Sequence, residues 1–301
     1  MSNLAHLGGW IDDPKAVEQS MSQLPFPVFS DLWSATKESG KGKKMLLYDI
    51  IRKVAGHFPN RHQADSDCVS QGTALAVDIA KCVDIFLKGD FERWVAETST
   101  EDIYSGGRNI IGKSKLGNKP GCIGSWAAQY VNEYGGLPRD KYGNIDLTKY
   151  DGNKAREWGR SGFTLPKEFL DIAKKHPILV VSQVNSWDEV RDLIYNGYGV
   201  TIASSQGFSS VRDKDGFAKP EGTWQHQMCL AGMDDESPRP GALCCNSWGS
   251  WNSGPKRYDQ PDGSFWIDAD ELEDRILKTG DCWAYSGYEG FQPNKLKTRI
   301  I

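Results

Sequence analysis

HQMCLAGM (226–233) is an apolar run opened by a histidine, and Asn246-Ser247-Trp248-Gly249 follows a second run, GALCC (241–245). With YGVTIAS (198–204) before them and GSFWIDA (263–269) after, they make four short strand candidates separated by Gly, Pro, Asp and Asn clusters. A histidine at a strand start can present its ring to a cleft while the strand body packs in the core. An asparagine amide can then accept from one ring nitrogen, fix the tautomer and leave the other nitrogen free to take a proton. An adjacent tryptophan shields that hydrogen bond from water and strengthens it. His226, Asn246 and Trp248 stand in that relation; the histidines at 6, 57, 62 and 176 have no comparable context.

Upstream of residue 197 the period is helical. The strongest pattern begins after the N-cap candidates Ser66 and Asp67, with Cys68, Gly72, Leu75, Ala76, Ile79, Cys82, Val83 and Phe86 at i, i+3, i+4 spacing and Gly89 as the stop. It predicts a long, buried helix. Further helices are expected at 45–56, at 122–134, in PKEFLDIAKKH (166–176) and in SWDEVRDLIYNG (186–197), the last opened by a capping box of Ser186 and Glu189. Helices lie mainly in the first half and strands in the second, which predicts an α+β fold of two lobes. The expected division is an N-terminal extension and linker over 1–50, a helical lobe over 51–165, a β-rich lobe over 166–290 and a tail over 291–301.

Cys68 opens the long helix. Free N–H groups and the positive end of the helix dipole favour a thiolate there, which marks Cys68 as a nucleophile candidate. A buried, inert small hydrophobe is the plainer reading of a helix cysteine. Composition removes other classes. The 301 residues carry 36 basic and 40 acidic side chains, a net charge of -4, so there is no basic excess for nucleic acid. No apolar run reaches the roughly 18 residues of a membrane span. Seven cysteines, an odd number with no CxxC pair, imply reduced thiols, no zinc site and no cofactor. MSNLAHLGGW (1–10) lacks the pattern of an export signal, so a cytoplasmic or virion-associated location is expected.

The order Cys68, His226, Asn246, with a cysteine opening a long helix and Asn-Ser-Trp-Gly closing a strand, resembles the papain-like cysteine peptidases over about residues 60–290. GCIGSWAAQYVNEYGGLP (121–138) resembles the segment that follows the nucleophile helix and lines the cleft. The resemblance implies a papain-like two-lobe fold and hydrolysis of a polypeptide substrate. In it Cys68 attacks the carbonyl, His226 moves the proton and Asn246 orients the ring. It further implies that Gln63, with the backbone N–H of Cys68, stabilises the oxyanion, and that the Gly121-Cys122 backbone pairs with the substrate.

Two other readings stand beside it. A cell-wall endopeptidase of the NlpC/P60 type also uses cysteine, histidine and a polar residue, and Asp67-Cys68-Val69 is similar to its motif, but Asn-Ser-Trp-Gly is foreign to it. A papain-like fold could alternatively serve as a non-catalytic structural or binding module, for instance in a viral particle. Residues 1–44, with the proline-broken section LPFPVF (24–29), read as an extended arm. The arm is expected to pack on its own chain outside the cleft, with docking to an assembly partner as the alternative.

Overall fold

The computed structural model describes residues 7–24, 36–88 and 96–286. Its helices are α1 (Pro14–Met21), α2 (Leu47–Ala55), α3 (Cys68–Lys88), α4 (Thr100–Ser105), α5 (Gly124–Tyr134), α6 (Gly152–Trp158), α7 (Lys167–Ala173), α8 (Trp187–Tyr195) and α9 (Ala269–Arg275). The strands are β1 (Lys44–Leu46), β2 (Lys141–Tyr142), β3 (Ile145–Asp146), β4 (Val180–Gln183), β5 (Gly199–Arg212), β6 (Ala218–Asp234), β7 (Gly241–Cys245), β8 (Ser264–Asp268) and β9 (Trp283–Ser286).

The expected α+β architecture is present. Seven strands form one antiparallel sheet in the order β4-β9-β5-β6-β7-β8, with β1 added to the far end of β6. Helix α3 packs on β5 and β6, and its residues from Cys68 to Ala80 are buried on every side. That burial explains why the helix reads as apolar well beyond one stripe. Helix α8 has the predicted cap, the Ser186 hydroxyl accepting from the N–H of Glu189.

Three expectations need adjusting. The helix expected from residue 45 starts at Leu47, because residues 44–46 pair with Met233 and its neighbours on β6; it ends at Gly56 in the left-handed region as expected. The candidate strands at 198–204 and 226–233 are the inner parts of a hairpin whose strands run 14 and 17 residues. Its outer part is half-exposed and broken by register shifts, so apolar runs alone did not mark it. The arm contains a helix: Asp13 caps α1 through the N–H of Ala16, and Pro14 occupies the first turn. Of the section 24–29 only Leu24, which is buried, is among the described residues, and the tail 291–301 lies outside them.

Candidate active site

Two chain segments meet at the centre. Residues 61–63, which lead into α3, bridge to residues 247–249, which follow β7: the N–H of Gln63 donates to the carbonyl of Ser247 at 2.7 Å, and that of Gly249 to the carbonyl of Arg61 at 2.9 Å. This strap ties the approach to Cys68 directly to the Asn-Ser-Trp-Gly turn.

The candidate residues read from the sequence lie around it. His226 on β6 is buried, and its Nε2 lies 2.8 Å from Asn246 Oδ1. That Asn246 atom also accepts the N–H of Ser247 at 2.7 Å, which identifies it as the oxygen. Nε2 therefore carries the ring proton and Nδ1 the lone pair, and Nδ1 has no hydrogen-bond partner. Trp248 stacks on the imidazole with centroids 4.5 Å apart, while Trp224 meets it edge-on. Burial in this aromatic box pulls the His226 pKa down to about 4, against the Asn246 hydrogen bond that favours the charged ring.

Cys68 is the first residue of α3, and its sulfur faces the backbone of Gln227, the residue after His226. The expected thiolate is not what this arrangement holds. Complete burial pushes the thiol up to about 12; hydrogen bonds from the backbones of Gln227 and Gly9 oppose this, and the neighbouring Asp67 carboxylate adds to it. Asp67 itself accepts from Gln71 Nε2 at 3.0 Å and from the Tyr150 hydroxyl at 3.2 Å, and burial raises its carboxyl to about 7. Desolvation outweighs the helix end here.

The arm lies over this sulfur, which corrects the expectation that it packs outside the cleft. The N–H of Gly9 donates to Cys68 Sγ at 3.2 Å. The backbone of Cys122 donates to the Gly9 carbonyl at 2.7 Å and accepts from the Ile11 N–H at 2.9 Å, so Trp10 pairs with Cys122 in a parallel bridge. On the opposite wall the Trp10 N–H donates to the carbonyl of Gln225 on β6. Gln63 donates its Nε2 to the carbonyls of Leu7 and Asp65, both at 2.7 Å, while its Oε1 accepts from the Ser247 hydroxyl. Thus Gly121-Cys122 and Gln63 contact this chain's own residues 7–11.

Only glycine fits at position 9, because a Cβ there would lie 2.0 Å from the carbonyl oxygen of Ser66. Gly121, at φ +99°, is similarly constrained: its Cβ would lie 2.4 Å from the carbonyl oxygen of Gly9.

Trp10 is also anchored through its side chain, its indole N–H reaching Asp281 Oδ2 at 2.7 Å. Asp281 was not among the expected residues; between Gly280 and Cys282 it reads as a turn residue, and only the fold brings it beside the cleft. No cluster of three or more potential metal-binding side chains occurs among the described residues, and no described helix is long and apolar enough to cross a membrane.

The fold is that of the papain-like cysteine proteases. The chain is similar to xylellain, a cysteine protease from Xylella fastidiosa, at 15% identity and a TM-score of 0.56 over 95% of this chain and 97% of that one. It is similar to procathepsin B S9 from Trypanosoma congolense at 14% identity and a TM-score of 0.54, over 96% and 88%. Digestive procathepsin L2 from Tenebrio molitor larval midgut gives 14% and 0.53, over 96% and 81%. No protein-family model and no curated protein matches the sequence.

Proposed function

We propose that the protein is a cysteine peptidase using Cys68, His226 and Asn246, and that residues 7–11 hold it in a closed form. The observation that carries the reading is the His226–Asn246 hydrogen bond, which leaves a buried, unpartnered Nδ1 as the base. A purely structural histidine has no use for a bare nitrogen in an aromatic box. In the reaction Nδ1 takes the Cys68 proton and the sulfur attacks a peptide carbonyl. Gln63 Nε2 and the Cys68 N–H hold the oxyanion. The ring returns the proton to the leaving amine, and water hydrolyses the thioester. Two things support Gln63 in that role: its amide already binds a carbonyl, that of Leu7, and Ser247 orients it.

While residues 7–11 lie on Cys68 and Cys122, no substrate reaches the sulfur. The seven unpaired cysteines suit a reducing compartment.

Gly9→Ala in the full chain tests the reading, because the new methyl group would lie 2.0 Å from the Ser66 carbonyl oxygen and is expected to displace the arm. The variant is expected to cleave fluorogenic peptides that the natural chain leaves intact, and to alkylate with iodoacetamide at Cys68 ahead of the other six thiols. Adding Cys68→Ala or His226→Ala should lower hydrolysis by about three orders of magnitude. If the Gly9→Ala chain hydrolyses no member of a peptide library and labels its cysteines uniformly, the non-catalytic reading holds.

A further inference from the structure

Arg108 is buried behind the cleft edge, and its guanidinium is spent on backbone oxygens. Nε donates to the carbonyl of Gly159 at 2.7 Å, Nη2 to that of Gly117 at 2.9 Å, and Nη1 to that of Gly121. The fixed fork of a guanidinium can hold oxygens in three directions at once, which a lysine ammonium on its flexible stem cannot do as rigidly. Arg108 stands on the single π-helical turn Gly106–Ile111 that continues α4, four residues past Tyr104. Its guanidinium lies over the Tyr104 ring, 5.1 Å from the centroid, and the Tyr104 hydroxyl accepts the Gly121 N–H at 2.9 Å. Each of the two backbone groups of Gly121 is thus held by one of these side chains.

Regular structure does not hold this stretch. Residues 112–121 are neither helix nor strand, Lys113 and Ser114 lie in the left-handed region at φ 49° and 57°, and Gly121 is at φ +99°. The Gly121 carbonyl and the Cys122 N–H belong to one planar peptide unit. The guanidinium takes the oxygen of that unit, and the N–H donates to the Gly9 carbonyl at 2.7 Å. Fixing one end of a rigid amide fixes the direction of the other. A cation on the oxygen also draws electron density from the nitrogen, which makes the N–H a stronger donor.

We propose that Arg108 is a positioning residue for the substrate: with Tyr104 it clamps the peptide unit between Gly121 and Cys122, aiming and polarising the Cys122 N–H toward a carbonyl of an extended peptide. The inference rests on the peptidase reading above. Arg108 acts through that amide and not on the reacting atoms. The arm uses the same N–H, so the clamp also sets how firmly the arm is held.

The test compares two substrates in the full-length Gly9→Ala chain. One is a fluorogenic peptide long enough to lie along Cys122; the other is 4-nitrophenyl acetate, which is too short to do so. Arg108→Gln should lower the ratio of their kcat/KM values at least tenfold. Tyr104→Phe, which removes one hydroxyl and keeps the buried ring, should lower it at least threefold. A ratio of two substrates does not depend on how much of a variant is folded, and a residue that only braced the fold would reduce both substrates alike. In a second measurement without turnover, Tyr104→Phe in the otherwise natural chain should quicken amide exchange at Cys122 at least tenfold relative to exchange in α8. An unchanged ratio in either variant, or Cys122 exchange equal to that of the natural chain, overturns the clamp and leaves the peptidase intact. A Gly9→Ala chain that neither hydrolyses peptides nor labels selectively at Cys68 removes the peptidase, and this inference with it.

Discussion

Asp67 stands immediately before the proposed nucleophile and works against it. Its carboxylate is one cause of the high Cys68 pKa, and burial raises its own titration to about 7. Asp67→Asn in the Gly9→Ala background should therefore shift the pH midpoint of Cys68 alkylation down by about one unit, the usual effect of removing a close like charge; an unchanged midpoint would show that Asp67 and the sulfur do not communicate. His226 gives a stability prediction of definite sign. Its folded pKa of about 4 lies below the ordinary 6.5, so the unfolded chain takes up the proton first as pH falls. The stability tied to a neutral ring is complete above pH 6.5 and is lost progressively down to about 4, by at most about 3 kcal/mol. Buried Asp67 and Asp102, both raised to about 7, act in the opposite direction over that range. The His226 share is thus read as a difference: urea melts should show the natural chain gaining on His226→Asn as pH rises from 4 to 6.5. A difference flat in pH would contradict the buried neutral ring.

Among the elements, α3 and α8 are legible in sequence because their signals are local: apolar spacing, a capping serine, a terminal glycine. The nucleophile candidate and the asparagine are legible for the same reason, standing at the start of α3 and just past the end of β7. The histidine is legible because it opens the apolar inner part of β6. Helix α1 is harder, since Asp-Asp-Pro serves equally as a turn and as a helix start, and only the packing of α1 on α5 decides between them. The seat of the arm has no local signal. What makes Gly9 necessary is the carbonyl of Ser66, and what anchors Trp10 is Asp281, more than 250 positions away. Because α1 holds the arm from its far side, Asp13→Ala should cost about 1 kcal/mol, the worth of an N-cap. It should also quicken amide exchange at Trp10 and Ile11 while leaving α8 unaffected. Exchange at those two amides equal to that of the natural chain would mean that α1 contributes nothing to holding the arm.

At the scale of the whole molecule, the seven cysteines are all buried and unpaired. The folded natural chain should react with no equivalent of Ellman's reagent within the mixing time, and with seven in guanidinium chloride. The Gly9→Ala chain should react with one when native, and should melt lower by something on the order of 5 °C, since it forfeits the contacts of residues 7–11. More than one fast thiol would show that opening the cleft loosens the core as well. The arm has a kinetic consequence too. It belongs to the same chain as the sulfur it covers, so it competes as a tethered ligand whose effective concentration is of millimolar order and does not change on dilution. A free peptide meets that competitor at every encounter. Partial opening of the natural chain would therefore raise the apparent KM and spare kcat, and substrate concentration alone would decide how much of the enzyme is at work.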